Sequence, residues 1–414
     1  MRILSALLLC LGLSAAAAET GPAFALHDGD RVVFYGDSIT QDGAYARLVE
    51  AYARNRFPSW DLRFYNSGVG GDTVLGGGAG EIGVRLERDV IRLKPTVVTI
   101  MLGMNDGRYR PLEPATLAAF SDGYRALVQK LKAALPGVRL YLIQPSPFDD
   151  FSRPPDFDPG YDQVLRRLGE AVATISRDEH AALVDFGGVV ERGIRSVGRD
   201  NGDLARQLLP DRVHPNPAVH LVMGAALLRA WHAPALVARV EIDAKSAKVL
   251  SSENAEVTAL TVEVGKLTWN EFDRALPLPL NFADADVDLA QKAGADLESL
   301  DAQTLVIAGL RDGRYEVRID DQVVGVFPAT ALAAGLNLAR YNTPMRWQAY
   351  RVRWNAEHGH EVQRIERGLA VAQAEDPGLA AAAASLAARE EFEQAGRSRP
   401  AQPQVRKFSV APVP

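Results

Sequence analysis

The chain has 414 residues, with 46 Lys and Arg against 52 Asp and Glu and a formal net charge of −6. That mildly acidic balance gives no basis for binding nucleic acid or an anionic membrane surface. The single cysteine, Cys10, excludes a disulfide framework and a thiolate metal site, and it falls within a segment expected to be removed.

Residues 1–18 read as a signal peptide. Arg2 gives a positive start, residues 3–13 are an apolar stretch, and Ala16-Ala17-Ala18 before Glu19 suits signal peptidase. The apolar part is too short to span a bilayer. Leu7-Leu8-Leu9 ahead of Cys10 lacks the small residue of a lipobox, so a cleaved signal is expected and not a lipid anchor. The expectation is a secreted or periplasmic protein without a stable membrane anchor.

From about residue 29 to 232 strand and helix patterns alternate. Strand-like runs fall at 31–35, 62–65, 97–101, 139–143 and 182–185, several nearly continuous in apolar residues, as strands covered on both faces must be. Helices are predicted at 44–56, 84–93, 116–135, 161–178 and 217–231; Tyr124, Leu127, Val128, Leu131 and Leu135 show the helical spacing of three and four. Five strands with helical crossovers imply an α/β fold with a flavodoxin-like, doubly wound parallel sheet. Its domain is placed at 19–235. A smaller β-rich accessory region is expected at 236–340, with short strands at 236–242, 257–264, 304–307, 315–319 and 323–327 and a turn at Asp320-Asp321. C-terminal helices are expected at 341–396, the second of them alanine-rich. The tail at 397–414, rich in Pro, Arg and Gln, is expected to be disordered.

The chemistry begins where the first strand ends, in Phe34-Tyr35-Gly36-Asp37-Ser38. Open α/β sheets bind ligands at the carboxyl ends of their strands, although Gly-Asp-Ser alone is common turn chemistry. A serine hydroxyl needs a base, and a histidine base needs a partner that holds its tautomer. Asp211 and His214 are three apart between Pro210 and Pro215, a spacing that lets the carboxylate reach Nδ1 while Nε2 faces Ser38. The competing reading is that Asp211 caps a helix starting near Pro217. Acyl transfer also needs donors for an oxyanion. Candidates are the N–H of Ser38, a glycine N–H in Asn66-Ser67-Gly68-Val69-Gly70-Gly71-Asp72-Thr73, and the amide of Asn105 beyond the third strand.

Gly36-Asp37-Ser38, Gly70-Gly71-Asp72-Thr73, Gly103-Met104-Asn105-Asp106 and Asp211-Arg212-Val213-His214 together resemble, in order, the four blocks of the SGNH/GDSL hydrolases. The likeness spans roughly the first 230 residues and says nothing of the region beyond 236. It implies a serine esterase or acylhydrolase with Ser38 as nucleophile, His214 as base and Asp211 as its orienter. It further implies Ser38, Gly71 and Asn105 as the oxyanion hole, with Gly70 as an alternative to Gly71, and neither metal nor cofactor. Ile39 stands where the family's name motif has leucine, a conservative departure. The family includes carbohydrate deacetylases, so the expected partner is a small-molecule or carbohydrate ester of a small acyl group such as acetyl. A non-catalytic polymer-binding protein on the same scaffold is the alternative, with a lipase-like enzyme behind it, for which no long apolar lid segment exists. Loops near 74–83 and 148–160 are the expected makers of specificity.

Three further features are weighed. Gly78-Ala79-Gly80-Glu81-Ile82-Gly83 fits a dinucleotide fingerprint but follows no strand, so a loop beside the site is expected. His358-Gly359-His360 would point to different helix faces and is read as solvated surface. Trp347 and Trp354 share a helix face and are expected to pack in a core in preference to stacking on sugar. The final helices carry apolar faces at Leu369, Val371, Leu379 and Leu386, so the C-terminal region is expected to pack against the first domain.

Overall fold

A computed structural model describes residues 23–373 and 376–413; the expected signal segment, 1–18, lies outside the described residues. Strands β1 (Arg31–Gly36), β2 (Arg63–Gly68), β3 (Val97–Met101), β4 (Arg139–Ile143) and β5 (Ala182–Val184) form an all-parallel sheet in the order β2-β1-β3-β4-β5. This is the flavodoxin order. Successive strands leave β1 on opposite sides, so a crevice opens beyond the carboxyl ends of β1 and β3. Val32, Val33, Phe34 and Tyr35 of β1 and the whole of β3 are buried, which is why these runs carry no polar alternation.

Among the described residues, eight α-helices complete this domain: α1 (Ser38–Asp42), α2 (Ala44–Arg56), α3 (Ile82–Asp89), α4 (Pro114–Ala134), α5 (Tyr161–Asp178), α6 (Phe186–Asp200), α7 (Gly202–Leu208) and α8 (Pro217–Ala230). α6 and α7 were not anticipated. Gly187, Gly188, Gly193 and Gly198 dilute the helical signal of α6, yet Phe186, Val190, Ile194 and Val197 keep the three-and-four spacing and are buried. The glycine run at 78–83 is no nucleotide loop: Gly76–Gly77 pairs antiparallel with Gly80–Glu81, and this two-residue strand, which is not part of the parallel sheet, is what leads into α3.

Beyond the first domain, β6 (Leu236–Asp243), β7 (Lys248–Glu253), β8 (Ala255–Glu263), β9 (Lys266–Asp273), β10 (Ala302–Ala308), β11 (Arg314–Ile319), β12 (Gln322–Pro328), β13 (Leu336–Asn337) and β14 (Val405–Pro412) make two sheets, β13-β10-β6-β7 and β8-β9-β14-β11-β12. They share a second core, with Val240, Ile242, Leu305 and Ile307 from one sheet and Leu267, Trp269, Val317, Ile319, Phe408 and Val410 from the other.

Two sequence expectations are corrected here. The tail at 397–414 is not disordered over its described part: β14 lies between β9 and β11 and pairs antiparallel with both. Its Pro- and Arg-rich composition hid a short alternation, in which Phe408 and Val410 point into the core while their neighbours stay outside it. The region 236–340 is also not uniformly accessory. Helix α9 (Ala285–Lys292) packs on α8 and α6, and Leu278, Leu280, Val287, Leu297 and Leu300 belong to the first domain's core.

After α10 (Ala329–Ala334), the long helix α11 (Pro344–Ala372) lies along α2 and β2, and α12 (Ala380–Gly396) closes over β2. β2 is an edge strand whose outer backbone groups need partners. Gln363 supplies two of them, donating to Phe64 O at 2.8 Å and accepting from Asn66 N at 2.9 Å. Gln394 bonds both Phe64 N and Phe64 O, and Arg367 donates to Asn66 O. Below them, Glu50 of α2 receives Arg54 at 2.8 Å and His360 at 2.9 Å, while Arg397 holds Glu390 at 2.6 Å. Burial opposes the charge on Glu50, but Arg54 and His360 outweigh it and bring the carboxyl down to about 2.

This packing is polar. Leu369, Val371, Leu379 and Leu386 are only half-buried, and the contact with β2 is made by amides and ions. His360 is buried in that contact, against the expectation of a solvated pair, whereas His358 is exposed. Trp347 and Trp354 are exposed as well, not packed in a core. Their helix turns its buried face, with Met345, Ala349, Val352 and Ala356, the other way.

Candidate active site

β1 stops at Gly36 because the chain must turn there at once. A Cβ at Gly36 would lie 2.6 Å from Met101 O of the neighbouring strand. Asp37 then caps α1 by accepting from Ile39 N at 3.1 Å, and Ser38 becomes the first residue of the helix, half-buried at the crevice.

Ser38 Oγ is 2.8 Å from His214 Nε2, and His214 Nδ1 is 2.6 Å from Asp211 Oδ2. With the Nδ1–H donated to the carboxylate, Nε2 is the acceptor for the serine hydroxyl. Asp211 Oδ1 also receives the backbone N–H of Val213 at 3.0 Å and of His214 at 2.7 Å. Burial pushes the Asp211 carboxyl up, but its bonds to His214 and Val213 prevail and hold it below the ordinary carboxylate value. Asp211 is therefore not a helix cap; Asn216 does that work for α8, accepting from Val219 N at 2.9 Å.

The loop bearing Asp211 and His214 is bracketed from the 148–153 segment. Arg212, at φ 73°, lies over the Phe148 ring and donates to Asp150 at 3.3 Å and to Pro154 O at 3.0 Å. Buried Asp149 takes Arg153 at 2.7 Å, and Arg153 in turn donates to Leu209 O at 2.9 Å and Pro210 O at 3.1 Å. One stretch expected to shape specificity is thus also a brace.

Gly70 and Gly71 sit inside a turn closed by Asp72 N to Val69 O, at 3.2 Å. Gly71 has φ 73°, the left-handed region that a side chain disfavours. The two glycines differ in their N–H groups. Gly70 N donates to Gln41 Oε1 at 2.5 Å, whereas Gly71 N has no partner among the described residues. Asn105 Nδ2 donates one hydrogen to Asp72 O at 3.0 Å, leaving a second, and Tyr109 OH donates to Asn105 Oδ1 at 3.2 Å. The glycine loop is locked from below: buried Arg85 bonds Asp72 at 2.9 Å and Ser67 O at 3.1 Å, and also pairs with Asp89.

Arg85, Tyr109 and Arg153 escaped the sequence reading. The only signal for Arg85 was a charge between apolar Val84 and Leu86; for the other two there was none beyond nearness to loops. Two acids beside the site are held toward their neutral form. Burial pushes Asp37 and Asp106 up to about 7, against the N–H bonds they accept from Ile39 and Val74.

Ser38 and His214 open onto a cavity of about 390 Å³, also lined by Gln41, Asp42, Arg47, Glu357, His360, Glu361 and Arg364. Four of these lie on α11, so the C-terminal region supplies one wall of the cleft. Among the described residues no cluster of three or more His, Cys, Asp or Glu is placed to hold a metal ion. No described helix is long and apolar enough to cross a membrane.

A flavodoxin-type sheet with these groups at its switch point defines the class, a carboxylic ester hydrolase. Residues 34–222 match the GDSL-like Lipase/Acylhydrolase family. An acetylxylan esterase of Geobacillus stearothermophilus is 26% identical over an alignment of 230 residues that covers 49% of this chain and 93% of that enzyme. A crystal structure of an acetylxylan esterase from that bacterium covers 50% of this chain and 96% of its own, at 26% identity and a TM-score of 0.41. A gut microbial diltiazem-metabolizing enzyme shares the fold over 94% of this chain and 99% of its own, with a TM-score of 0.81 at 22% identity. That likeness of fold takes in the C-terminal region as well as the parallel sheet.

Proposed function

We propose that the protein is an exported serine esterase that removes small acyl groups, acetyl first among them, from a hydrophilic alcohol such as a carbohydrate. Ser38 Oγ attacks the ester carbonyl while His214 Nε2 takes its proton. The tetrahedral oxyanion receives the N–H groups of Ser38 and Gly71 and the free amide hydrogen of Asn105. His214 then gives the proton to the departing alkoxide oxygen, and a water activated by the same imidazole releases the acid and restores Ser38. Asp211 stays ionised throughout and steadies the imidazolium.

The observation that carries this reading is the unbroken relay from Ser38 through His214 to Asp211, at 2.8 Å and 2.6 Å. A binder that had kept only the scaffold has no need of it. The cavity at Ser38 favours a short acyl group and a polar alcohol, because its lining carries no aliphatic side chain. The acetylxylan esterase relative supports acetyl on carbohydrate, and residues 1–18 support export.

The test is covalent. A fluorophosphonate should label the protein and spare Ser38→Ala, and that variant should lose on the order of 10³-fold or more in kcat on p-nitrophenyl acetate. Equal labelling of both proteins would remove Ser38 from the role.

A further inference from the structure

The cleft does not end at Ser38. Arg47 and Glu357 line both the cavity at Ser38 and a second one, of about 150 Å³, which Leu280, Val287 and Tyr350 help to enclose. Tyr350, Arg353, Glu357, Glu361 and Arg364 follow one another at three or four residues on α11, so a single helix face runs past both cavities.

Trp347 and Trp354 stand on the shoulder of that face, 54% and 62% exposed. Trp347, Trp354 and Glu361 recur every seven residues, which sets them roughly 10 Å apart in succession along one side of the helix. Each indole is steadied by a neighbour, Trp347 by the Tyr350 ring at 5.7 Å and Trp354 by the His358 ring at 4.4 Å. The rings do not merge into an apolar patch of the kind that a protein partner covers, because Arg351, Arg353 and Glu357 lie around and between them. Flat rings set among carboxylates and guanidinium groups match the chemistry of a pyranose chain. The C–H face of a sugar lies on an indole, and its hydroxyls bond the charged groups beside it.

We propose that α11 is a glycan-binding rail: a polysaccharide lies along Trp347 and Trp354, and its acylated sugar reaches Ser38 at the Glu361 end. This rests on the reading of the protein as a carbohydrate esterase.

Binding is measured in Ser38→Ala protein by affinity gel electrophoresis in acetylated xylan and in acetylated pectin. At least one polymer should retard it, and adding Trp347→Ala and Trp354→Ala should weaken that retention by about tenfold. In the active enzyme the same pair of substitutions should lower kcat/KM on the polymer by about tenfold, through KM, and by far less on p-nitrophenyl acetate. No retention by either polymer, or equal losses on polymer and small ester, overturns the rail. Tight binding to phosphatidylcholine vesicles in place of the polymers would overturn it too. If the wild type still hydrolyses p-nitrophenyl acetate in any of those cases, the esterase reading stands without the rail. A wild type that is retained by polymer yet inert on every ester fails the esterase reading instead.

Discussion

In the parallel sheet β1 is flanked by strands close to it in sequence and surrounded by apolar side chains, whereas Gln363 reaches the β2 backbone from 297 residues away and does so through an amide. The difference follows from what each surface lacks. The faces of the sheet lack only apolar cover, and nearby helices provide it. The outer edge of β2 lacks hydrogen-bond partners, and an apolar helix laid there would leave the Phe64 and Asn66 backbone buried and unpaired. Gln363, Gln394 and Arg367 meet that need as a neighbouring strand would. The groups of the proposed reaction all stand on the sheet side, while α11 brings charge and aromatic rings to the cleft. The two regions therefore divide the labour without being separable bodies.

The sharpest way to break that comparison is to remove one side. A chain ending at Pro234 should yield no soluble folded protein, because it uncovers the β2 edge and the core surface filled by Leu278, Leu280, Val287 and Leu297. A soluble fragment with full kcat/KM on p-nitrophenyl acetate would show the cover to be dispensable.

Within the sheet side, Asn105→Ala should lower kcat by roughly 10²–10³-fold with KM nearly unchanged, since the amide acts on charge present mainly in the transition state. A change confined to KM would make Asn105 a substrate-positioning residue instead.

The edge cover predicts the reverse pattern. Gln363→Ala should leave kcat alone but cost roughly 1–3 kcal/mol in stability, because buried backbone groups of β2 lose their partners. Chemical denaturation of the two proteins reads it, and an unchanged midpoint would mean that water replaces the amide.

The smallest effect concerns pH. Asp106 has its carboxyl raised by burial to about 7, so the folded state holds a proton that the unfolded chain releases near the ordinary value of about 4. Its contribution to stability is thus greatest below pH 4, falls as pH rises toward 7, and stays lost above that. Asp106→Asn keeps the acceptor for Val74 N and should remove that loss. It should match the wild type at pH 4 and exceed it at pH 8, read from thermal unfolding at both values. Parallel curves for the two proteins would mean that the buried acid does not titrate with folding.

The strands of the parallel sheet were legible because burial on both faces leaves continuous apolar runs, and the candidate site residues Ser38, Gly71, Asn105, Asp211 and His214 could be picked out because each sits in a short block beside a strand end or in a proline-bounded loop. Local pattern determined that much. It could not show that Asp211 faces His214 and leaves the helix cap to Asn216, since both acceptors suit a cap and only the path of the loop decides between them. It misread the tail, where one alternation around Phe408 and Val410 becomes a strand only because β9 and β11 stand ready on either side. It also misjudged His360, Trp347 and Trp354. Helical periodicity says which residues share a face, but not which face meets protein and which meets water. That depends on where α11 comes to rest, and the unpaired edge of β2, hundreds of residues earlier, is what draws it there.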